Sequence, residues 1–238
     1  MFAAINPTLG TQPFNDWFVP DTIQRHVLGQ RQNAVDPYWG MGTFVYIKSA
    51  DAILKGSLVM MDESFNGALL PNTANQGFPF GVAMYSMASG TYGWIQVEGL
   101  AVYKTNATVA ADAAIGIGAA GIAGTNAAGK QLLNVRNRRG ATATASLTNT
   151  TTANNSAVLY RAAGYDGAFI GAALSGTGIP ASTIVAALDP DGKRIYMGSA
   201  IGTIDKLATA SGNVTVTVTY TGYGAGVINN PFAQGAIT

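Results

Sequence analysis

Between Ala113 and Leu133 the chain reads AAIGIGAAGIAGTNAAGKQLL. Within it, Gly116-x-Gly118-x-x-Gly121 has the spacing by which a glycine turn approaches a dinucleotide pyrophosphate. Gly124-x-x-x-x-Gly129-Lys130 then supplies most of a phosphate-binding loop. Both motifs depend on context. A dinucleotide fingerprint follows a hydrophobic strand, opens a helix, and has a carboxylate about 20 residues on. Here AADAAI precedes Gly116, IAGTNAAG follows Gly121, and Gly140 and Ala141 stand where the acid belongs. In the phosphate loop, Gln131 replaces the Ser or Thr whose hydroxyl ligates Mg²⁺. The glycines read as tight turns and close backbone packing.

The other candidate chemistry is sparse. Asp189-x-Asp191-Gly192 starts like a calcium loop, but Ala200 occupies the position of the bidentate Glu. With Pro190 and Gly192 between IVAAL and RIYM, a hairpin turn is the better reading. His26 is the single histidine, so a multi-histidine metal site is excluded. A Ser-His-Asp triad would have to use His26, and no G-x-S-x-G accompanies it. Asp62, Glu63, Glu98 and Asp112 have no spacing that selects a catalytic pair. No catalytic, cofactor-binding or metal residue is assigned, and the chain reads as a non-enzyme. Arg136, Arg138 and Arg139, with Lys130 nearby, form the only basic cluster. A net charge of +1 and the lack of interleaved aromatics argue against nucleic acid. A solvated polar loop, or contact with an acidic protein surface, remains.

The elements that would position these residues are strands. Residues 1–40 read as an arm interrupted by Pro7, Pro13 and Pro20, carrying Phe2, Phe14, Trp17 and Phe18. The arm ends in a short helix, TIQRHVLGQ, capped by Asp21, with Ile23, Val27 and Leu28 on one face and Gly29 as the stop. Residues 41–140, with TFVYIKS, GSLVMMDE, GVAMYSM and YGWIQVEGLAVYK, read as a small β-barrel or sandwich domain. Residues 141–222 read as an added, sandwich-like β domain. In its NVTVTVTYTG run, Val214, Val216, Val218 and Tyr220 alternate strictly with threonines. Residues 223–238 read as a second arm bearing Phe232. The expected fold class is all-β.

Composition narrows the role. Of 238 residues, 48% are hydrophobic and only 11% charged, too few charges for the surface of a free monomer unless neighbours cover much of it. With no cysteine, disulfides and thiolate chemistry are excluded. The N-terminal sequence lacks the pattern of a signal peptide, and no run of about 18 apolar residues could span a bilayer.

One stretch carries a resemblance. GFPFGVAMYSMASGTYGWIQVEGLAVYKTNATVAADAAIGIG, Gly77 to Gly118, resembles the head-decoration, or cement, proteins of tailed bacteriophages. The features, in order, are Gly81-Val82-Ala83, a glycine turn from Gly90 to Gly93, an aromatic strand from Trp94 to Gly99, and Val109-Ala110. LSGTGIPASTIVAALDPDGKRIYMGSA, Leu174 to Ala200, resembles a glycine-rich β module of phage virion and fibre proteins. The resemblance implies a structural protein made in the host bacterial cytoplasm and carried on the outer capsid surface. It would bind the major capsid protein and itself, as a homotrimer or other homo-oligomer, and stabilise the shell. No cofactor, nucleic acid or membrane is implied. The alternative is a head-fibre, tail or host-surface-binding component. The expected capsid or subunit contacts are Phe2, Phe14, Trp17, Phe18, Arg136, Arg138, Arg139 and Phe232, with the aromatic arms acting as latches.

Overall fold

Short β-branched and aromatic runs separated by Gly, Asn, Pro and Ser clusters form strands, because such side chains pack well on a pleated surface. The computed structural model of the chain describes residues 3–4, 19–36, 40–106, 109–139, 144–165, 168, 171–189, 191–200, 202–219 and 222–235. Among the described residues there are seventeen strands and no helix. The chain is all-β. It divides into two compact units, one comprising Thr142–Thr221 and the other Phe2–Ala141 with Gly222–Thr238.

The larger unit contains β1 (Ala3–Ala4), β2 (Arg31–Asp36), β3 (Gly40–Ser49), β4 (Leu58–Met61), β5 (Asn66–Leu69), β6 (Phe80–Ala83), β7 (Tyr92–Lys104), β8 (Ile115–Ala119), β9 (Ile122–Thr125), β10 (Leu132–Arg139) and, late in the chain, β17 (Tyr223–Ala233). Nine of these form one sheet, in the order β1-β2-β3-β5-β4-β6-β7-β17-β10. β3 also pairs with β7, which closes β3, β5, β4, β6 and β7 into a ring of five strands. β7 serves so many partners because it has 13 residues. One edge takes β3, and the other takes β6 at Ile95 and Gln96, then β17 from Glu98 to Lys104. Val45, Ile47, Val59, Ile95 and Val97 belong to one buried cluster, and Leu58, Phe80, Tyr103, Ile115 and Ile228 to another.

The β3–β7 ladder shifts register between Thr43 and Phe44. There the buried Gln96 side chain donates from Nε2 to the carbonyls of Glu98 and Leu100, at 3.0 and 3.1 Å. Between those carbonyls Gly99 has φ +101°, and a Cβ on it would lie 3.0 Å from the Gly42 Cα. Only glycine adopts that conformation beside so close a backbone without strain.

The smaller unit contains β11 (Thr144–Thr152), β12 (Val158–Tyr160), β13 (Ala173–Gly176), β14 (Thr183–Leu188), β15 (Arg194–Gly198) and β16 (Gly212–Thr219). It is a closed barrel, in the order β11-β12-β15-β14-β13-β16. The expected sandwich is therefore corrected. β11 pairs with β12 on one side and β16 on the other, and closure leaves no sheet edge. The alternation in β16 holds at Val216 and Val218, which are buried with Leu147, Leu159, Val185, Ile195 and Met197.

Two further expectations are overturned. Residues 21–29 are not helical. Residues 223–233 are not an arm but β17, paired between β7 and β10. Pro231 is tolerated because it lies beyond Asn229, the last β17 residue paired with β7, and where the β10 ladder shifts register.

Replacing Gln96 by Leu should leave the partly buried Glu98 and Leu100 carbonyls without this donor and cost about 1 kcal/mol or more. Gly99→Ala should also destabilise. Denaturant titration of both variants checks this, and an unchanged midpoint in either would contradict the assigned role of the bulge.

Candidate functional site

Residues 19–30 run over the β3–β7 ladder as an irregular strap. At its start, the Asp21 N–H donates to the Tyr92 carbonyl and the Tyr92 N–H to the Asp21 carbonyl, both at 2.8 Å. At its end, the Gly29 N–H donates to the Tyr46 carbonyl at 2.8 Å, and the Tyr46 N–H to the Gln30 carbonyl at 3.0 Å. Pairing of the strap backbone with two strands displaces the helical hydrogen bonds that propensity alone would favour. The Asp21 carboxylate does not cap a helix. It accepts the Tyr46 hydroxyl at 2.6 Å and pairs with the Arg25 guanidinium at 3.3 Å.

The strap's polarity is inverted. Ile23, Val27 and Val19 point outward, 75%, 72% and 58% exposed, while His26 is 8% exposed. An exposed apolar set above a buried polar group is the informative exception to ordinary burial. The His26 ring centroid lies 4.9 Å from that of Tyr46 and 5.2 Å from that of Trp94. Tyr46 and Trp94 are direct cross-strand partners, 5.1 Å apart, and Tyr92 stacks on Tyr46 at 6.3 Å. Burial lowers the His26 pKa; Asp21 opposes that shift and Arg25 adds to it. Burial, then the hydrogen bond to Asp21, raises the Tyr46 phenol well above its usual range.

The residues singled out from sequence are dispersed. Phe2, Phe14, Trp17 and Phe18 lie outside the described residues. Arg136 and Arg138 are on strand β10, not in a loop. Arg136 Nη1 donates to the Asp112 carbonyl at 3.2 Å, and Arg138 pairs with the Asp112 carboxylate. Between them, the fully buried Asn137 bonds the Tyr103 hydroxyl at 2.5 Å and the Val109 and Ala110 carbonyls at 3.1 and 2.7 Å. The Arg139 backbone pairs with Ala225, and its side chain lies outside the described residues. Phe232 is a partly exposed residue of β17, bridged to Pro79.

The glycine motifs form an antiparallel hairpin, β8–β9, with Gly118 at the register shift and Gly121, φ +67°, in the turn. No helix follows, and Lys130 Nζ donates to the Asn72 side chain at 3.0 Å. A Cβ on Gly124 would come within 2.7 Å of the Gly118 Cα, so these glycines serve close packing. Asp189 and Asp191 both hold Arg194 at 3.0 Å across their hairpin. Among the described residues, no three His, Cys, Asp or Glu side chains gather as metal ligands. Tyr46 and Tyr92 carry no signal of a site in the sequence, and Asp21 and Trp94 read there as a helix cap and part of a strand; tertiary pairing is what joins the four. No family model, curated protein or solved structure matches the chain.

Tyr46→Phe removes the hydroxyl that serves both Asp21 and, at 3.3 Å, the Arg25 N–H. It should loosen the strap by about 1–3 kcal/mol, read as faster amide exchange over residues 21–30. Calorimetric titration with NAD⁺ or with Mg²⁺-ATP should give no binding heat. Saturable binding lost on Lys130→Ala would restore the nucleotide reading.

Proposed function

We propose that this chain is a virion structural protein that binds the outside of a phage capsid and stabilises the shell. The observation that carries the reading is the apolar outer face of the strap: Val19, Ile23 and Val27, exposed on a chain with 11% charged residues. Partial exposure of Val35 and Met41, paired across β2 and β3, extends the supply of apolar surface in the same unit. The resemblance of Gly77 to Gly118 to decoration proteins points the same way.

Magnitudes favour the apolar surface over the basic cluster. Fully burying a Val or Ile contributes about 1.5–3 kcal/mol before association costs. An exposed ion pair contributes about 0–1 kcal/mol, and Arg138 is already engaged by Asp112. On a repetitive shell, modest single contacts add through avidity when the protein is itself an oligomer. The partners are then the major capsid protein and further copies of this chain.

A second reading, a fibre or host-surface-binding component, is favoured by the barrel. There Asn213, Thr151, Tyr160 and Arg194 are successive cross-strand partners on β16, β11, β12 and β15. Thr151 bonds Asn213 at 3.0 Å, and the Arg194 guanidinium lies 6.0 Å from the Tyr160 ring centroid. The row offers an aromatic face beside hydroxyl, amide and guanidinium groups.

Copy number in purified virions distinguishes the readings. A simple whole-number ratio to the shell subunit supports decoration, a few copies per particle supports a fibre or tail part, and absence from the particle removes both. Within the decoration reading, the combined Val19→Ser, Ile23→Ser and Val27→Ser variant should bind shells at least about tenfold more weakly. Its thermal melt should be close to that of the parent, because those side chains are exposed. Unchanged shell binding would exclude the strap as the docking surface.

A further inference from the structure

His26 is the single histidine of the chain and, among residues 19–30, the only one that is buried. We propose that residues 19–30 are an acid-released latch: protonation of His26 expels its ring from the Tyr46–Trp94 surface and frees the strap from the β3–β7 ladder. The latch stands whether or not the outer side chains of the strap dock on a shell.

The geometry supplies both parts of the device. The pocket is aromatic, with Tyr46 from β3 and Trp94 from β7 against the ring and Tyr92 stacked behind Tyr46. Among the described residues no hydrogen bond ties either imidazole nitrogen to the pocket, so burial of the ring against the aromatic faces is the main influence on its charge. The nearby charges are Asp21 and Arg25, both on the strap itself, and they face each other. The Asp21 carboxylate is already shared between Arg25 and the Tyr46 hydroxyl. Tyr46 and Tyr85 are held neutral by burial, and Lys48 lies 5.9 Å from the Tyr92 ring centroid. Among the described residues the strap is fastened by the backbone pairs at Asp21 and at Gly29–Gln30, by the contacts to the Tyr46 hydroxyl, and by Leu28 packed on the Phe44, Tyr46 and Trp94 cluster.

The direction follows from proton linkage. Latched, His26 has a lowered pKa; released, it has the ordinary one. Below the ordinary histidine value the released strap therefore binds more protons than the latched one. Latching is complete above that value, weakens as pH falls from it to the lowered value, and changes no further below.

The test uses the whole protein. Because there is one histidine, its ring Cε1–H resonance can be followed without ambiguity by NMR across about pH 4–8. Amide exchange is read on the same samples, corrected for intrinsic rates. The expected result is a His26 midpoint below that of free imidazole side chains, with loss of protection at the Asp21, Arg25 and Gly29 amides over the same range. The Ile95 and Val97 amides of β7 should stay protected. His26→Phe should keep the strap protected throughout, and His26→Gln should make its protection independent of pH. Two outcomes overturn the proposal: a His26 midpoint at or above the ordinary value, as Asp21 or cation–π contact would produce, or strap protection that stays constant while His26 titrates. Both are read on the parent protein, so neither depends on a variant folding.

Discussion

The pairing of β3 with β7 is the constraint on which the larger unit depends. Without it, β3 through β7 would be an open run of strands with two exposed edges. With it, they form a ring, and Tyr46 and Trp94 become neighbours. The same ladder carries the register shift that Gln96 and Gly99 accommodate, and past that point β7 exchanges β3 for β17 as its partner. The strap has no structure of its own to stand on. It is held by groups that this ladder brings side by side, so the placement of His26 is a consequence of ring closure and not of local propensity.

Features set by neighbours in sequence were legible, and features set by distant partners were not. The alternation of β16 and the Asp189–Gly192 turn are local, and both stand in the structure. The glycine stretch reads as tight turns and close packing; that its two halves pair as strands β8 and β9 is an addition from the structure. The strap misled because Ile23, Val27 and Leu28 fit a helical face, yet the decision belonged to Tyr46 and Tyr92. Nothing near residue 26 announces that its side chain will be buried. β10 was hidden for a related reason. NVRNRR reads as polar loop, and its buried Asn137 is satisfied by Tyr103, Val109 and Ala110, groups that sequence alone does not place beside it. Pro231 makes the C-terminal stretch read as an arm, yet it marks only the end of one ladder and a shift in another.

The barrel unit is inserted between β10 and β17, which are themselves sheet neighbours, and it begins and ends on β11 and β16, which are barrel neighbours. That arrangement has a consequence during synthesis. β7 leaves the ribosome long before β17, and the whole barrel is made in between. Pairings between residues so distant in sequence form slowly. The barrel, with all its partners inside one continuous stretch, is free to fold while the C-terminal half of β7 still presents an unpaired edge. During that interval the nascent sheet is open to strand addition from another chain. That interval, more than the stability of the finished fold, is the point at which the chain is most open to mispairing.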